Sequence, residues 1–578
     1  MYLPLNGNFT AAIDSSSFTA NTGYQGGAVW IDAELLLVTI LHSAFTNNSA
    51  NPNTDGTTFA SLGAGAAVWM TDTALSRTQS SLLRVLNSSF TGNNATSNTS
   101  TGASLSLGTV ELDIKSSVFE GNYAGEFAGA IAMPASCNKN QAEGSNEIAV
   151  SNLQLQPLAC SVNISRCQFT NNTAGQAAAA YLQLDGFIVT ITDSSFVDNQ
   201  AWTEDGAVAL YVKPNSVGGV GSMVLLSGML VQGNTVMQQR PSYPLASPAT
   251  GAVWLDTLLC AAIVHSTFDG NEGVFGALYV NGLTGDPLTC WYQARNMTPI
   301  ADFDLQPPLF DPLALQSLPT KPTTSLDVRS SLFEKTIGSA VFISNNDQFS
   351  AISSSVFSSN TATSSGGGVY IQDSGTIFVS DSKFSSQSAP LSGGAMYILG
   401  SHLQLQGSSI IGCSAPASGG GIYAAGSFIS INRYIAHIFC MASCWGKMRC
   451  GVCQPYICED LGNKCVLACF SKPATNCHVI VLYLCTICRS LLAGNTAGTQ
   501  GGGAVIGVGC SHIHMEQTQL INNTSLDVEG AIKADADTLS VWLKSMNISR
   551  NRYGQQLLFF ACSRHCPHIA DGCCTNAC

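Results

Sequence analysis

Ser16-Ser17-Phe18-Thr19-Ala20-Asn21, followed closely by Gly26-Gly27-Ala28-Val29-Trp30-Ile31, decides the fold, because both halves return along the chain in the same order. With the Phe as register, the first half recurs at Phe18, Phe45, Phe90, Phe119, Phe169, Phe196, Val231, Phe268, Phe333, Phe357, Phe384, Ile411, Leu492, Leu520 and Ile548. These fifteen rungs are often 27 or 28 residues apart, with longer gaps between the others. A fixed period broken by insertions marks a solenoid, in which each unit buries its apolar face against its neighbours.

Three positions after the Phe, twelve of the fifteen rungs carry Asn: Asn21, Asn48, Asn93, Asn122, Asn172, Asn199, Asn234, Asn271, Asn360, Asn495, Asn523 and Asn551. Thr336, Gln387 and Ser414 are the exceptions. Asn tolerates the left-handed conformation of a sharp bend, and its amide can bond to the Asn one coil away, so an Asn ladder is predicted at one corner. The Gly pair allows a turn or a close approach between coils. In the Gly-Gly-Ala segment two aliphatic slots alternate with outward ones, the first filled by Val29, Val68, Ile131, Val208, Val253, Leu278, Val341, Val369, Met396, Ile422, Val505 and Ile532. Apolar segments such as 35–41, 188–191 and 377–379 supply another strand before each Ser-x-Phe.

Each period therefore yields about three short strands and three bends, with no helical periodicity. The expected fold is all-β, a right-handed parallel β-helix of about 15 coils that, at about 4.8 Å per coil, forms a rod on the order of 70 Å long. Coils occupy 1–432 and 489–552, with loops inserted near 49–64, 134–160, 235–250 and 281–325.

Composition agrees. Only 10% of the 578 residues are charged, Gly numbers 55, and the formal charge is −13. Nucleic-acid binding needs clustered Lys and Arg, and here 23 bases face 36 acids, so no nucleic-acid partner is expected. The best apolar run, around Val479 to Leu484, is too short for a transmembrane helix.

The outward slot between the two inward ones holds Trp30, Trp69, Ala132, Tyr181, Ala209, Trp254, Tyr279, Phe342, Tyr370, Tyr397, Tyr423, Ile506 and Lys533. Nine of these thirteen are aromatic, which predicts an aromatic stripe along one face. Two readings stand side by side: the rings stack on each other and stabilise the ladder, or they receive sugar rings or a protein partner. Asp32, Asp72, Asp185, Asp256 and Asp373 follow these strands as turn residues, with calcium or sugar-hydroxyl binding as the alternative.

Catalysis requires converging carboxylates or a strong base in one groove. The sequence offers no Asp-Asp pair and no Gly-His-Gly, and Val29-Trp30-Ile31-Asp32-Ala33 echoes a pectate-lyase segment only in part. No catalytic residue, metal site or cofactor is expected. Cys510, His512 and His514 alternate and could share a strand face and bind a metal, but a solvent-facing pair of histidines is the preferred reading. Eleven Asn-x-Ser/Thr sequons occur, at Asn8, Asn47, Asn87, Asn94, Asn98, Asn163, Asn171, Asn296, Asn522, Asn523 and Asn547, several generated by the repeat itself.

Between Asn432 and Arg489 the pattern vanishes. Cys440, Cys444, Cys450, Cys453, Cys458, Cys465, Cys469, Cys477, Cys485 and Cys488 crowd into 433–488, and with Arg489 the stretch carries +4, leaving −17 on the rest of the chain. A zinc module, a disulfide loop and translated non-coding sequence compete as explanations, the last preferred because removing about 54 residues restores a coil of ordinary length. Cys562, Cys566, Cys573, Cys574 and Cys578 form a second cluster in the tail, 553–578.

Paired Phe-x-x-Asn and Gly-Gly-Ala-aliphatic motifs resemble the repeats of chlamydial polymorphic outer-membrane proteins and related right-handed, pectin-lyase-like β-helix proteins. The resemblance covers about 9–432 and 489–552 and implies surface display and adhesion. Met1 to Thr10 shows no signal peptide, and the end at Thr575-Asn576-Ala577-Cys578 no autotransporter barrel, so a fragment or a gene model lacking its ends is expected. The expected function is a non-catalytic extracellular or cell-surface rod that binds polysaccharide or a cell-surface protein. The alternative is a polysaccharide lyase or glycoside hydrolase whose site is built by the loops at 134–160 and 281–325.

Overall fold

A computed structural model describes residues 2–23, 26–50, 65–72, 81–96, 100–108, 110–136, 160–202, 207–215, 221–237, 251–283, 325–346, 349–426, 484–498, 503–508, 512–525, 531–534 and 540–553. The expected loops fall largely at 51–64, 137–159, 238–250 and 284–324, outside the described residues, as do 433–483 and 554–578. The described strands pair in parallel, each with its counterpart one coil away. The fold is a right-handed parallel β-helix; the hand is the one that right-twisted parallel strands adopt.

One coil shows how local chemistry makes the shape. Val369–Gln372 forms a strand with Val369 and Ile371 inward, and Asp373 turns the chain at φ 46°. Thr376–Ser380 forms the next strand, Asp381 turns at φ 48°, Lys383–Ser385 follows, and Ser386 turns at φ 55°. The chain then reaches Met396, in register with Val369, and repeats.

Two corners recur in all fifteen rungs. One lies three residues before the Phe position, from Ser15 to Ser545, and the other two residues after it, from Ala20 to Arg550. Most are not Gly, and an L-residue there costs roughly 1–2 kcal/mol. Side-chain ladders beside the corners hold that conformation. The backbone N–H and amide N–H2 of Asn21 both donate to Asn48 Oδ1, at 3.0 and 2.8 Å, and the pattern continues Asn by Asn to Asn271. It returns from Asn495 to Asn551. Each amide also donates to the carbonyl at the preceding rung's Phe position, as Asn172 does to Phe119. The ladder Asn residues from Asn48 to Asn551 are buried, and the left-handed residue is the one before each of them, a correction to the expected division of labour.

A second ladder went unread in the sequence. Serines two positions before the Phe accept from the previous coil's backbone, as Ser88 does from Ser43, and Ser382 from Ser355. Buried thiols replace hydroxyl or amide at Cys167 and Cys413; burial pushes them to about 11 and about 12.

The core is a set of stacked columns. Phe18, Phe45, Phe90, Phe119, Phe169 and Phe196 form one run of parallel rings 4.7–4.9 Å apart, and Phe268, Phe333, Phe357 and Phe384 a second. Three register expectations are corrected. Ile410, not Ile411, occupies the Phe column, because that coil is one residue shorter; Ile410 is buried and Ile411 exposed. Cys413 therefore takes the ladder place assigned to Ser414. Leu484–Cys488 forms a coil strand against Gln404–Gln406 and His512–Glu516, so the rod resumes five residues before 489.

Candidate functional site: an outer aromatic column

The outward slot becomes a column in register: Trp30, Trp69, Ser106, Ala132, Tyr181, Tyr211, Trp254, Tyr279, Phe342, Tyr370, Tyr397, Tyr423, Ile506, Lys533. Two members differ from expectation. Ser106 belongs to a rung whose Gly-Ala-Ser-Leu had no Gly pair to betray it. Tyr211 replaces Ala209, because a register shift between Ala207 and Leu210 puts Leu210, not Val208, opposite Val253. Ala209, expected outward, is buried in the main core, while Val208, expected inward, packs with Ala201 in a separate cluster, and the inward–outward alternation resumes at Leu210 and Tyr211.

From Tyr181 to Tyr423 the column is aromatic through eight successive rungs, with centroids 4.5–5.5 Å apart. Trp30 and Trp69 form a separate pair, divided from the run by Ser106 and Ala132. Ring attitudes vary. Tyr397 and Tyr423 lie 3° from parallel, which turns their faces to each other and leaves edges and hydroxyls outward. Tyr181 and Tyr211, and Trp254 and Tyr279, meet at 81°, and such a pair cannot cover both faces of both rings. Tyr181, Tyr211 and Phe342 are buried, the others half-buried. Ladder stabilisation is thus built into the column.

Two residues further along each strand, on the same face, a polar column runs in parallel: Gln183, Lys213, Asp256, Asn281, Ser344 and Gln372. Tyr181 Oη donates to Gln183 Oε1 at 3.3 Å, Asn281 Nδ2 to Asp256 Oδ1 at 2.8 Å, and Ser344 Oγ to Asn281 Oδ1 at 3.0 Å. The Lys213 ammonium lies 5.3 Å from the ring centres of both Tyr181 and Tyr211. Burial pushes Lys213 below its ordinary value while Asp256 pulls it back. Burial raises Tyr181, Tyr279, Tyr370 and Tyr397, so these phenols stay protonated across the physiological range and can donate.

Where Phe275 leans over the column, 4.4 Å from the Phe342 ring and 5.2 Å from Tyr279, a groove of about 270 Å³ opens. It is lined by Phe275, Tyr279, Phe342, Ser344, Asn345, Ser364, Tyr370 and Gln372. No sequence signal marked Phe275 or Ser364, which come from the bends between coils.

The other candidates scatter. Asp185 and Asp256 are the last residues of the strands Ala180–Asp185 and Gly251–Asp256 rather than the expected turn residues, Asp185 being buried and accepting from the Asn215 backbone at 2.9 Å, while Asp373 sits at a left-handed corner. Among the described residues no three His, Cys, Asp or Glu side chains approach closely enough to hold a metal ion. The side chains of Asp32, Asp72, Cys510, His512 and His514 lie outside the described residues. Of the sequons, Asn47, Asn87, Asn171, Asn522 and Asn547 are exposed and Asn94 and Asn163 half-buried, while Asn523 is buried in the ladder. Asn8, Asn98 and Asn296 fall outside the described side chains.

No family model matches this chain, and no curated protein matches it. Among solved structures, the PL6 family alginate lyase AlyGC aligns at 9% identity over 96% of this chain and 97% of that one, with a TM-score of 0.15. A mutant of the same lyase aligns at 8% identity over 95% and 97%, with a TM-score of 0.12. Likeness at that level carries no argument, and the fold stands on the chain's own register.

Proposed function

We propose that this chain is a non-catalytic rod, extracellular or displayed at a cell surface, that holds a polysaccharide along its outer aromatic column. The observation that carries the reading is the unbroken run of eight aromatic rungs from Tyr181 to Tyr423 with a hydrogen-bonding column, Gln183 to Gln372, beside its first six rungs. A polymer of sugar rings presents apolar C–H faces and hydroxyls at a repeating interval, which suits parallel rows of rings and amides. Cys160 and Cys260 are disulfide-bonded, which supports an oxidising compartment. Register puts these two cysteines three coils apart, about 14 Å at the usual spacing, so they are bonded to other cysteines than each other. The resemblance to polymorphic outer-membrane repeats supports surface display and adhesion in the same sense.

One observation favours a second reading, a carbohydrate-active enzyme: Lys213 stands over two tyrosine rings within electrostatic reach of Asp256. A glycan array probed with the intact protein and with Trp30, Trp69 and Trp254 changed singly to Ala separates the possibilities. Glycan retention that falls with the changes is expected. Failure to retain any glycan, or retention indifferent to all three changes, overturns the sugar-binding reading. New reducing or unsaturated ends in the bound polymer would establish the enzyme instead.

A further inference from the structure

We infer that the groove beneath Phe275 is a subsite for one uncharged pyranose ring of the bound polymer, and that the rod selects neutral polysaccharides over uronate-containing ones. This rests on the polysaccharide-binding reading and narrows it to a substrate class. At about 270 Å³ the groove sits just under the range of small-molecule pockets, the size for a single ring rather than an oligomer. Phe275, Tyr279, Phe342 and Tyr370 give it apolar walls on three successive rungs.

Its polar lining is neutral: Ser344, Asn345, Ser364 and Gln372, with the Tyr279 and Tyr370 hydroxyls. The amide nitrogens of Asn345 and Gln372 are engaged within the protein, donating to Asn281 Oδ1 at 3.0 Å and to Asp373 Oδ2 at 3.1 Å. Their amide oxygens remain as acceptors for ligand hydroxyls, while the phenols, held protonated by burial, donate.

Charge decides the class. Asp256 acts on Tyr279 and Asp373 on Tyr370, so the charges that reach the groove are negative. Among the described residues no Arg or Lys lines it to pair with a carboxylate. Lys213, the cation of the polar stretch from Gln183 to Gln372, lies over the rings of Tyr181 and Tyr211, three rungs before Phe342. A uronate ring entering here would lose hydration without gaining a counter-charge, inside a chain already at −13.

The test is affinity electrophoresis of the intact chain through gels holding neutral polymers (a β-glucan, a mannan, a xylan) or uronate polymers (alginate, polygalacturonate). Retardation by at least one neutral polymer and by neither uronate polymer is expected. Gln372→Ala and Asn345→Gly, the latter compatible with the left-handed turn at φ 50°, should each weaken retention at least tenfold with unchanged circular dichroism. If Trp254→Ala abolishes neutral-polymer retention and both groove variants retain it fully, the column binds and the subsite assignment is overturned. Stronger retention by alginate or polygalacturonate overturns the neutral class. No retention by any polymer overturns the binding reading itself.

Discussion

The rod carries two aromatic columns, one inside and one outside, spaced by the same coil rise yet built to different rules. In the inner column neighbouring Phe rings are 2–10° from parallel and fully buried at every rung from Phe45 to Phe384 that carries Phe. In the outer column the angle runs from 3° to 81°, residue type changes among Tyr, Trp and Phe, and several rings are half-buried. A closed interior leaves one packing solution per coil, so the residue repeats. An open face tolerates many, so variation there is free to follow a ligand.

The comparison is broken most severely from the inside. Phe169 is fully buried, 4.9 Å from Phe119 and 4.7 Å from Phe196. Phe169→Ala should cost about 3–5 kcal/mol, read as a lowered urea midpoint and as faster hydrogen exchange in the adjoining rungs. A loss under about 1 kcal/mol would mean that the coils collapse around the cavity and that the column does not dictate the repeat. Next comes the ladder. Asn172→Ala strips the acceptor from the buried Asn122 N–H and the donor from the Phe119 carbonyl. At roughly 1–3 kcal/mol for each stranded group, a loss of about 3 kcal/mol is expected. Asn172→Asp keeps the acceptor for Asn122 but not the donor, so partial recovery near neutral pH would separate the two contributions.

A titration sharpens the contrast in another way. His402 begins the strand His402–Gln406, hydrogen-bonded to Thr376 at 2.7 Å, and burial lowers it from 6.5 to about 3. The unfolded chain takes up a proton below about 6.5 and the folded chain does not until about 3. The stability from keeping His402 neutral is therefore complete above about pH 6.5 and drains away as pH falls toward 3. Thermal midpoints at pH 7 and pH 4 should differ more in the native chain than in His402→Gln. Equal differences would mean that the imidazole protonates in place.

The inner architecture was legible because its signals are periodic and chemically narrow. Phe in the core and Asn at the buried corner have few substitutes, so fourteen of the fifteen rungs could be registered from the residues alone. The miss, Ile410, came where two adjacent Ile offered equal candidates and the coil was a residue short. Left-handed corners were invisible for the opposite reason. Ala20, Asp198, Lys335, Ser359 and Arg550 share φ of 51–56° and no common chemistry, because the neighbouring ladder rather than the residue holds the backbone there. The groove was illegible because Phe275 joins the column from a bend, and the repeat says nothing of which bends fold back over a strand.

The smallest expected effect is the one that tells the columns apart. Tyr397 is half-buried on the outer face, 4.8 Å from Tyr370 and 5.1 Å from Tyr423. Tyr397→Ala removes two ring contacts worth about 0.5–1.5 kcal/mol each and opens space to solvent, which leaves no cavity to add to the cost. The expected loss is therefore about 1–2 kcal/mol, less than half that of Phe169→Ala by the same urea measurement. If the outer rings serve only as a ladder, Tyr397→Phe, which keeps the ring and drops the hydroxyl, restores everything. If they also receive a ligand, the Phe variant recovers stability yet retains the polysaccharide less strongly, since a stack seen edge-on meets a sugar chiefly through its hydroxyls. Full recovery of both properties would reduce the outer column to a second, looser version of the inner one.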